Sequence, residues 1–161
     1  MRAVTAAILF VVLFCTDAAA QTRLDDSASP RARLEVTPAW LESASDVASD
    51  DEVNTLLANV PGVEYRLNTS AFVGKSARIY LVLPQAIAGL KTAGGIRAEW
   101  RTRSSLFMPG SVLPGARALV FTGKVSGALT TLILDYVISI DARAMLRPLE
   151  FRPHFEIEVS P

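Results

Sequence analysis

The sequence is poor in the side chains that carry most enzyme chemistry. Its 161 residues include one cysteine, Cys15, and one histidine, His154, and no nucleophile-elbow, phosphate-loop or paired-cysteine motif occurs. Basic and acidic side chains balance at 16 each, so the chain lacks the excess positive charge that binds nucleic acid or an anionic membrane. Hydrophobic residues make up 50% of the chain and charged residues 20%, which is the composition of a folded domain.

The amino terminus has the pattern of a secretory signal peptide. Arg2 precedes an uninterrupted apolar run at 6–14, and the small residues at 18–20 follow it. This pattern predicts cleavage before Gln21. The apolar run is shorter than the roughly 20 residues of a membrane-spanning helix, so no membrane span is expected after cleavage. The mature chain would then be cysteine-free and held by its core alone, in the periplasm or outside the cell.

The rest of the chain divides into a leader and one domain. Residues 21–33 are polar, contain Pro30 and show no periodicity, so they are expected to form a flexible leader after the signal peptide at 1–20. The domain spans 34–161. It opens with an alternating segment at 34–37, which is typical of a short edge strand.

One segment near the start of the domain has a helical pattern. Residues 49–52 match the S-x-x-E capping box, and apolar side chains recur from Val53 to Val60 at i, i+3, i+4 and i+7. A Pro-Gly pair at 61–62 would end the element. The pattern predicts one short amphipathic helix.

Beyond this segment the hydrophobic period changes to two. Six further runs alternate or are continuously apolar, and turn residues separate most of them: 63–69, 77–83, 96–102, 117–122, 129–142 and 151–159. The sequence therefore predicts a mainly β fold of about seven strands with one short N-terminal helix. An antiparallel two-sheet β-sandwich of immunoglobulin-like form is the expected architecture, and a small barrel is the alternative.

Two features suggest binding to sugars or to acidic partners. Arg97, Glu99, Arg101 and Arg103 share one face of a predicted strand, where they could bind a polyanion or simply form cross-strand salt bridges in solvent. Trp40 precedes an acidic segment and is a candidate platform for a sugar ring, although large aromatic residues are usually buried.

An apolar loop is a third candidate for binding. Leu106, Phe107 and Met108 lie between turn residues, and exposed apolar loop tips often mark a partner surface. The same loop could instead fold over an open end of the sandwich.

The C-terminal strand pattern contains the one set of residues that could hold a metal. His154, Glu156 and Glu158 alternate, so they share a strand face at spacings of roughly 6.5 to 7 Å. An imidazole and two carboxylates can bind zinc. The alternative is a charged, solvated terminal edge strand that resists edge-to-edge association.

Together these features predict a non-enzymatic domain of the cell envelope that acts in protein–protein interaction or structural assembly, without a cofactor. A carbohydrate-binding module that uses Trp40 or the Arg97–Arg103 face is one alternative. A metal-dependent hydrolase centred on the C-terminal strand is another. The expected partner is another envelope or surface protein, or a glycan, and not nucleic acid.

Overall fold

The computed structural model describes residues 21–30, 39–40 and 54–159. Besides three 3-10 turns at 70–72, 93–95 and 142–144, the described residues form nine strands. They are β1 (Thr22–Arg23), β2 (Ala39–Trp40), β3 (Thr55–Asn68), β4 (Ser76–Val82), β5 (Ile96–Thr102), β6 (Gly110–Val112), β7 (Arg117–Lys124), β8 (Leu129–Asp141) and β9 (His154–Val159). The predicted signal peptide, the edge strand at 34–37 and the capping box at 49–52 lie outside the described residues.

The strands form two antiparallel sheets with a sandwich-like architecture. One sheet has the order β1-β9-β4-β7 and the other β2-β3-β8-β5-β6. The two sheets meet in one core, where the ring of Tyr65 in β3 packs edge-on against that of Phe155 in β9 at a centroid distance of 4.8 Å. Both sheets contribute fully buried side chains, among them Leu67, Ile79, Leu134 and Ile157. The mainly β prediction is confirmed.

The strand pairs are nested along the chain. β1 pairs with β9, β3 with β8, β4 with β7 and β5 with β6. Each of these pairs after the first therefore lies between the two members of the preceding pair in the sequence. Nested pairing of this kind is the strand order of a jelly roll. The immunoglobulin-like form is not confirmed, because that fold has consecutive strands A and B side by side and a C-F-G sheet. Hydrophobic alternation in the sequence indicates where strands lie, but it does not determine which strands become neighbours in a sheet.

Most strands lie where the two-residue period predicts them. In β5, for example, Ile96, Ala98 and Trp100 are buried while the residues between them face solvent. β6 was not predicted, since it is only three residues long and follows a Pro-Gly pair. β9 begins at His154, three residues later than expected.

The predicted helix is wrong over the residues that are described. Residues 55–60 form the first part of β3, which runs on through Pro61 and pairs along its length with β8. Leu56, Ala58 and Val60 face the core, so the segment fits a strand as well as a helix. The Pro-Gly pair does not end the element but forms a bulge between Val60 and Val63. The long partner strand β8, which no local pattern reveals, decides between the two structures.

Part of the predicted leader, residues 21–30, lies against the four-stranded sheet. Thr22 and Arg23 pair with β9, and the Leu24 amide donates to the Phe155 carbonyl at 2.9 Å. The side chain of Leu24 is 4% exposed and belongs to the core. The polar composition of this segment gives no sign that Leu24 is buried or that residues 22–23 pair with the edge of β9. Residues 31–33 of the predicted leader lie outside the described residues.

Candidate functional site

The charged side chains of β5 lie on the outer face of the five-stranded sheet. Arg97, Glu99 and Arg101 are exposed and stand opposite Ser139, Val137 and Asp135 of β8. Arg103 follows the end of the strand. The structure therefore brings the four predicted residues to one surface.

The positive charge of this surface is largely neutralised. The Nε atom of Arg97 lies 3.0 Å from Glu99 Oε1. Arg103 binds Asp135 through two hydrogen bonds of 3.0 and 2.7 Å. Arg101 makes no ion pair with any residue that the structure describes. Within the described part of the chain, Arg101 is thus the arginine of the predicted basic stripe that has no carboxylate partner.

Asp135 also stabilises the bulge of β3. Its Oδ1 atom accepts a hydrogen bond from the Gly62 amide at 2.6 Å. The hydrogen bonds from Arg103 and from that amide hold the pKa of Asp135 below its ordinary value. Arg103 is therefore primarily a structural residue, since it binds the carboxylate that fixes Gly62.

The middle of the same sheet surface is more apolar. We define the β8 face as the outward-facing Leu57, Asn59, Arg101, Val137 and Ser139. Val137 is 36% exposed and pairs with Asn59, while Leu57 pairs with Ser139 in the next outward position. Leu57 and Val137 are diagonal neighbours within contact range. This apolar pair is flanked by polar side chains and by Arg101, which has no ion pair among the described residues.

The apolar loop is folded onto the core instead of presenting a tip. Phe107 is half-buried, with its ring centroid 6.0 Å from that of Phe121. The Met108 amide donates to the Val120 carbonyl at 2.8 Å, and the Met108 carbonyl accepts from the indole of Trp100 at 3.0 Å. The loop thus covers part of the β7 edge. Leu106, at 70% exposure, is the residue of this loop that solvent reaches most freely.

The two tryptophans are described to different extents. Trp100 is buried, as its alternation with Ile96 and Ala98 indicates. The backbone of Trp40 pairs with Leu56 in β3, and its side chain lies outside the described part of the structure. Its role as a sugar platform stays a prediction.

His154, Glu156 and Glu158 share the outer face of the four-stranded sheet. His154 Nε2 lies 3.3 Å from Glu156 Oε1, and these side chains are 18% and 19% exposed. The strand is not at an edge as expected, because β9 lies between β1 and β4. Within the described residues no three His, Cys, Asp or Glu side chains form a group that could hold a metal ion. Glu158 is engaged elsewhere, and the metal site stays a prediction.

Glu158 is the centre of a network that spans three strands. Arg117 of β7 reaches across the ring of Tyr80 in β4, with its guanidinium carbon 4.4 Å from the ring centroid, and binds Glu158 at 2.6 Å. The hydrogen bond from Arg117 holds the pKa of Glu158 below its ordinary value, and Tyr80 and Arg78 act in the same direction. Sequence reasoning missed Arg117 and Tyr80, because their proximity depends on the order β9-β4-β7.

Two tyrosines form a polar pair in the core. The hydroxyl groups of Tyr65 and Tyr136 lie 3.1 Å apart, and both side chains are buried. Burial raises the pKa of Tyr65 to about 12 and that of Tyr136 well above its ordinary value. Each hydroxyl thus has a hydrogen-bonding partner within the core.

A shallow cleft lies at one end of the molecule. It has a volume of about 410 Å³ and is lined by residues 85–87 and 90–93, and a smaller neighbour of about 210 Å³ shares Ala86 and Ile87 with it. The one charged side chain in the larger cleft, Lys91, donates to the Arg143 carbonyl at 3.3 Å. Lys91 is the one ionisable side chain among the described residues that line this cleft.

Comparisons of the chain with protein-family models, with curated proteins and with solved structures found no match. In the described part of the chain, no helix has the length and apolar character needed to cross a membrane.

Proposed function

We propose that this chain is an exported, non-enzymatic domain of the cell envelope, periplasmic or secreted, that binds another protein. The signal-peptide pattern over residues 1–20 supports export.

The observation that carries the binding proposal is the β8 face. Its centre is apolar, its surroundings are polar, and Arg101 has no ion-pair partner among the described residues. Interfaces of this composition are dry at the centre and place charges near the rim. We expect a partner protein that covers Val137 and places a carboxylate opposite Arg101.

The first test is the native mass of the mature protein, measured by size-exclusion chromatography with light scattering after gentle extraction. We expect a mass above that of the single chain, with a defined co-eluting protein. Two variants, Arg101→Glu and Val137→Asp, should weaken that association at least about tenfold, since each places charge against the partner.

The matched controls are Arg147→Glu and Val73→Asp, which alter an exposed arginine and an exposed valine outside the β8 face. They should leave the association unchanged. A monomer in the extract, or equal weakening by all four variants, would count against the proposal.

The nested strand order favours carbohydrate binding as a second candidate, because jelly rolls include lectin domains. This is an argument from fold, and fold alone does not establish function. A glycan array decides it. Binding that is lost in both Trp40→Ala and Arg101→Ala, but kept in Arg147→Ala, would replace the protein-binding proposal.

A further inference from the structure

Of the nine carboxylate side chains in the described residues, Glu156, Asp25 and Asp26 form no ion pair with an arginine. The other six form an ion pair with an arginine: Glu64, Glu99, Asp135, Asp141, Glu150 and Glu158. Glu156 is as shielded as Glu158, at 19% exposure, yet its described partners are the imidazole of His154 and the side-chain amide of Gln21. Neither partner carries a fixed positive charge. A partly buried carboxylate of this kind gains from a cation.

The beginning of β1 lies directly beside this carboxylate. Thr22 pairs with Ile157 and Arg23 with Glu156, in antiparallel register. Continuing the register by one residue places Gln21 opposite Glu158. The Gln21 Nε2 atom already donates to Glu156 Oε2. The side chain of Gln21 thus reaches Glu156, and the backbone nitrogen of the same residue lies one position before β1.

The sequence predicts a chemical change at that nitrogen. In the precursor it is an uncharged amide. Hydrolysis of the Ala20–Gln21 peptide bond by a signal peptidase consumes one water, leaves the carboxylate on Ala20 and gives Gln21 a free amine, which is protonated at neutral pH.

We propose that the Gln21 ammonium created by this cleavage binds the Glu156 carboxylate, so that removal of the signal peptide completes the charge network and fixes β1 on the sheet. The inference rests on the export part of the proposed function. The charged and titratable groups that face this position are Arg23 on β1, His154 and Glu158 on β9, Arg78 and Tyr80 on β4, and Arg117 on β7.

Arg23 and Arg117 are the competing cations. Arg117 is bound to Glu158, and Arg78 stands opposite Glu158, whereas Arg23 is directly opposite Glu156 in register. Even so, Arg23 forms no ion pair with Glu156. Cyclisation competes in another way, since the free amine can attack the Gln21 Cδ atom and release ammonia, which leaves an uncharged lactam. The hydrogen bond from Nε2 to Glu156 opposes this reaction by holding the amide on the sheet.

The test uses the mature chain with Gln21 as its first residue, released from a fusion that leaves no extra residue. NMR titration of the amine should give a pKa above the ordinary range of about 7.7 to 8.0. Glu156→Gln should return the pKa to that range. The control Glu150→Gln, which removes an exposed carboxylate paired with Arg152, should leave it raised, and so should Arg23→Ala.

A second readout follows from the sign of this shift. Because the pKa is raised in the folded state, the extra stability is present below the ordinary pKa of the amine and is lost as the pH rises through the raised value. The free-amine form should therefore have a higher melting temperature than the N-acetylated form at pH 7, and the difference should disappear at alkaline pH.

An amine with an ordinary pKa, a raised pKa that survives Glu156→Gln, or a mass lower by one ammonia would overturn the inference. Because the fusion supplies the amine, these results do not depend on export. If cells do not export the chain, the proposed function is overturned, but the pKa measured for the Gln21 amine remains valid.

Discussion

Two tyrosine hydroxyls meet inside a core that is built mainly from aliphatic and aromatic side chains. Tyr65 belongs to β3 and Tyr136 to β8, and each ring also packs edge-on against a phenylalanine. The hydrogen bond between the hydroxyls matters because a buried polar group without a partner costs more than the bond itself contributes.

This pair can be tested by a double-mutant cycle. Tyr136→Phe leaves the Tyr65 hydroxyl buried without its partner, so we expect the free energy of unfolding to fall by about 1 to 3 kcal/mol. The double variant Tyr65→Phe/Tyr136→Phe removes both polar groups and should be more stable than the sum of the two single changes predicts. Urea unfolding measures all four proteins, and strict additivity would show that the hydroxyls do not interact.

The same pair predicts how stability depends on alkaline pH. The pKa of Tyr65 is raised from 10.0 to about 12 in the folded protein. Because the unfolded chain ionises first, the contribution of Tyr65 is complete below pH 10 and is lost as the pH rises towards 12. Between pH 10 and pH 12, the free energy of unfolding measured with denaturant should fall less in the double phenylalanine variant than in the wild type. Equal losses would assign the alkaline transition to other groups.

At the scale of elements, β3 shows that a strand can continue through a Pro-Gly pair when a neighbouring strand pairs with it on both sides. The Pro-Gly pair predicted the end of a helix, yet β8 continues past it and holds both sides of the bulge. Gly62 takes a φ of +69°, a region that other residues enter at a cost, and its amide is fixed by Asp135. The bulge therefore depends on glycine.

Gly62→Ala should lower the free energy of unfolding by about 1 to 2 kcal/mol, because an L-residue is strained at this φ. Its Cβ atom would also lie 3.3 Å from Arg103 Nη2. The control is Gly94→Ala, where no atom lies within 4 Å of the added Cβ and φ is not positive. Urea midpoints compare the two variants. If the control loses as much stability as Gly62→Ala, backbone strain is not the cause.

Particular elements show which parts of the fold can be predicted from sequence. The alternation in β5 and β8 predicted both the strands and their buried faces, because burial on one side of a sheet requires a period of two. The helical spacing before Pro61 predicted the wrong element, and the pairing of β1 was not predicted, since these structures depend on β8 and β9, which are distant in sequence. Of the candidate site residues, those on β5 were predicted to share a face, whereas the contact of Arg117 with Glu158 needed the strand order.

At the scale of the whole molecule, the nested pairing separates partners widely along the chain. β1 pairs with β9, and β9 must also pair with β4, so the first sheet is complete only when both chain ends have been brought together. Most pairings in both sheets are of this long-range kind. During folding, the chain therefore loses the conformational entropy of closing long loops before many contacts form.

This topology predicts slow folding. We expect refolding of the mature chain in milliseconds to seconds, as is usual for folds dominated by long-range pairing. Stopped-flow fluorescence can follow the burial of Trp100, and Trp40→Phe removes the other tryptophan signal. Refolding in microseconds would show that local structure, and not strand pairing, limits the rate.

The sequence by itself determined the composition of a folded domain, the period of its strands, the burial of Trp100 and the signal-peptide pattern, because each of these depends on residues close together in the chain. The tertiary structure decided the strand order, the conversion of a helical pattern into β3, the docking of β1, and the contacts of Glu156, Glu158 and Asp135. Each of these brings together residues far apart in sequence, and their partners are selected by the packing of the whole core.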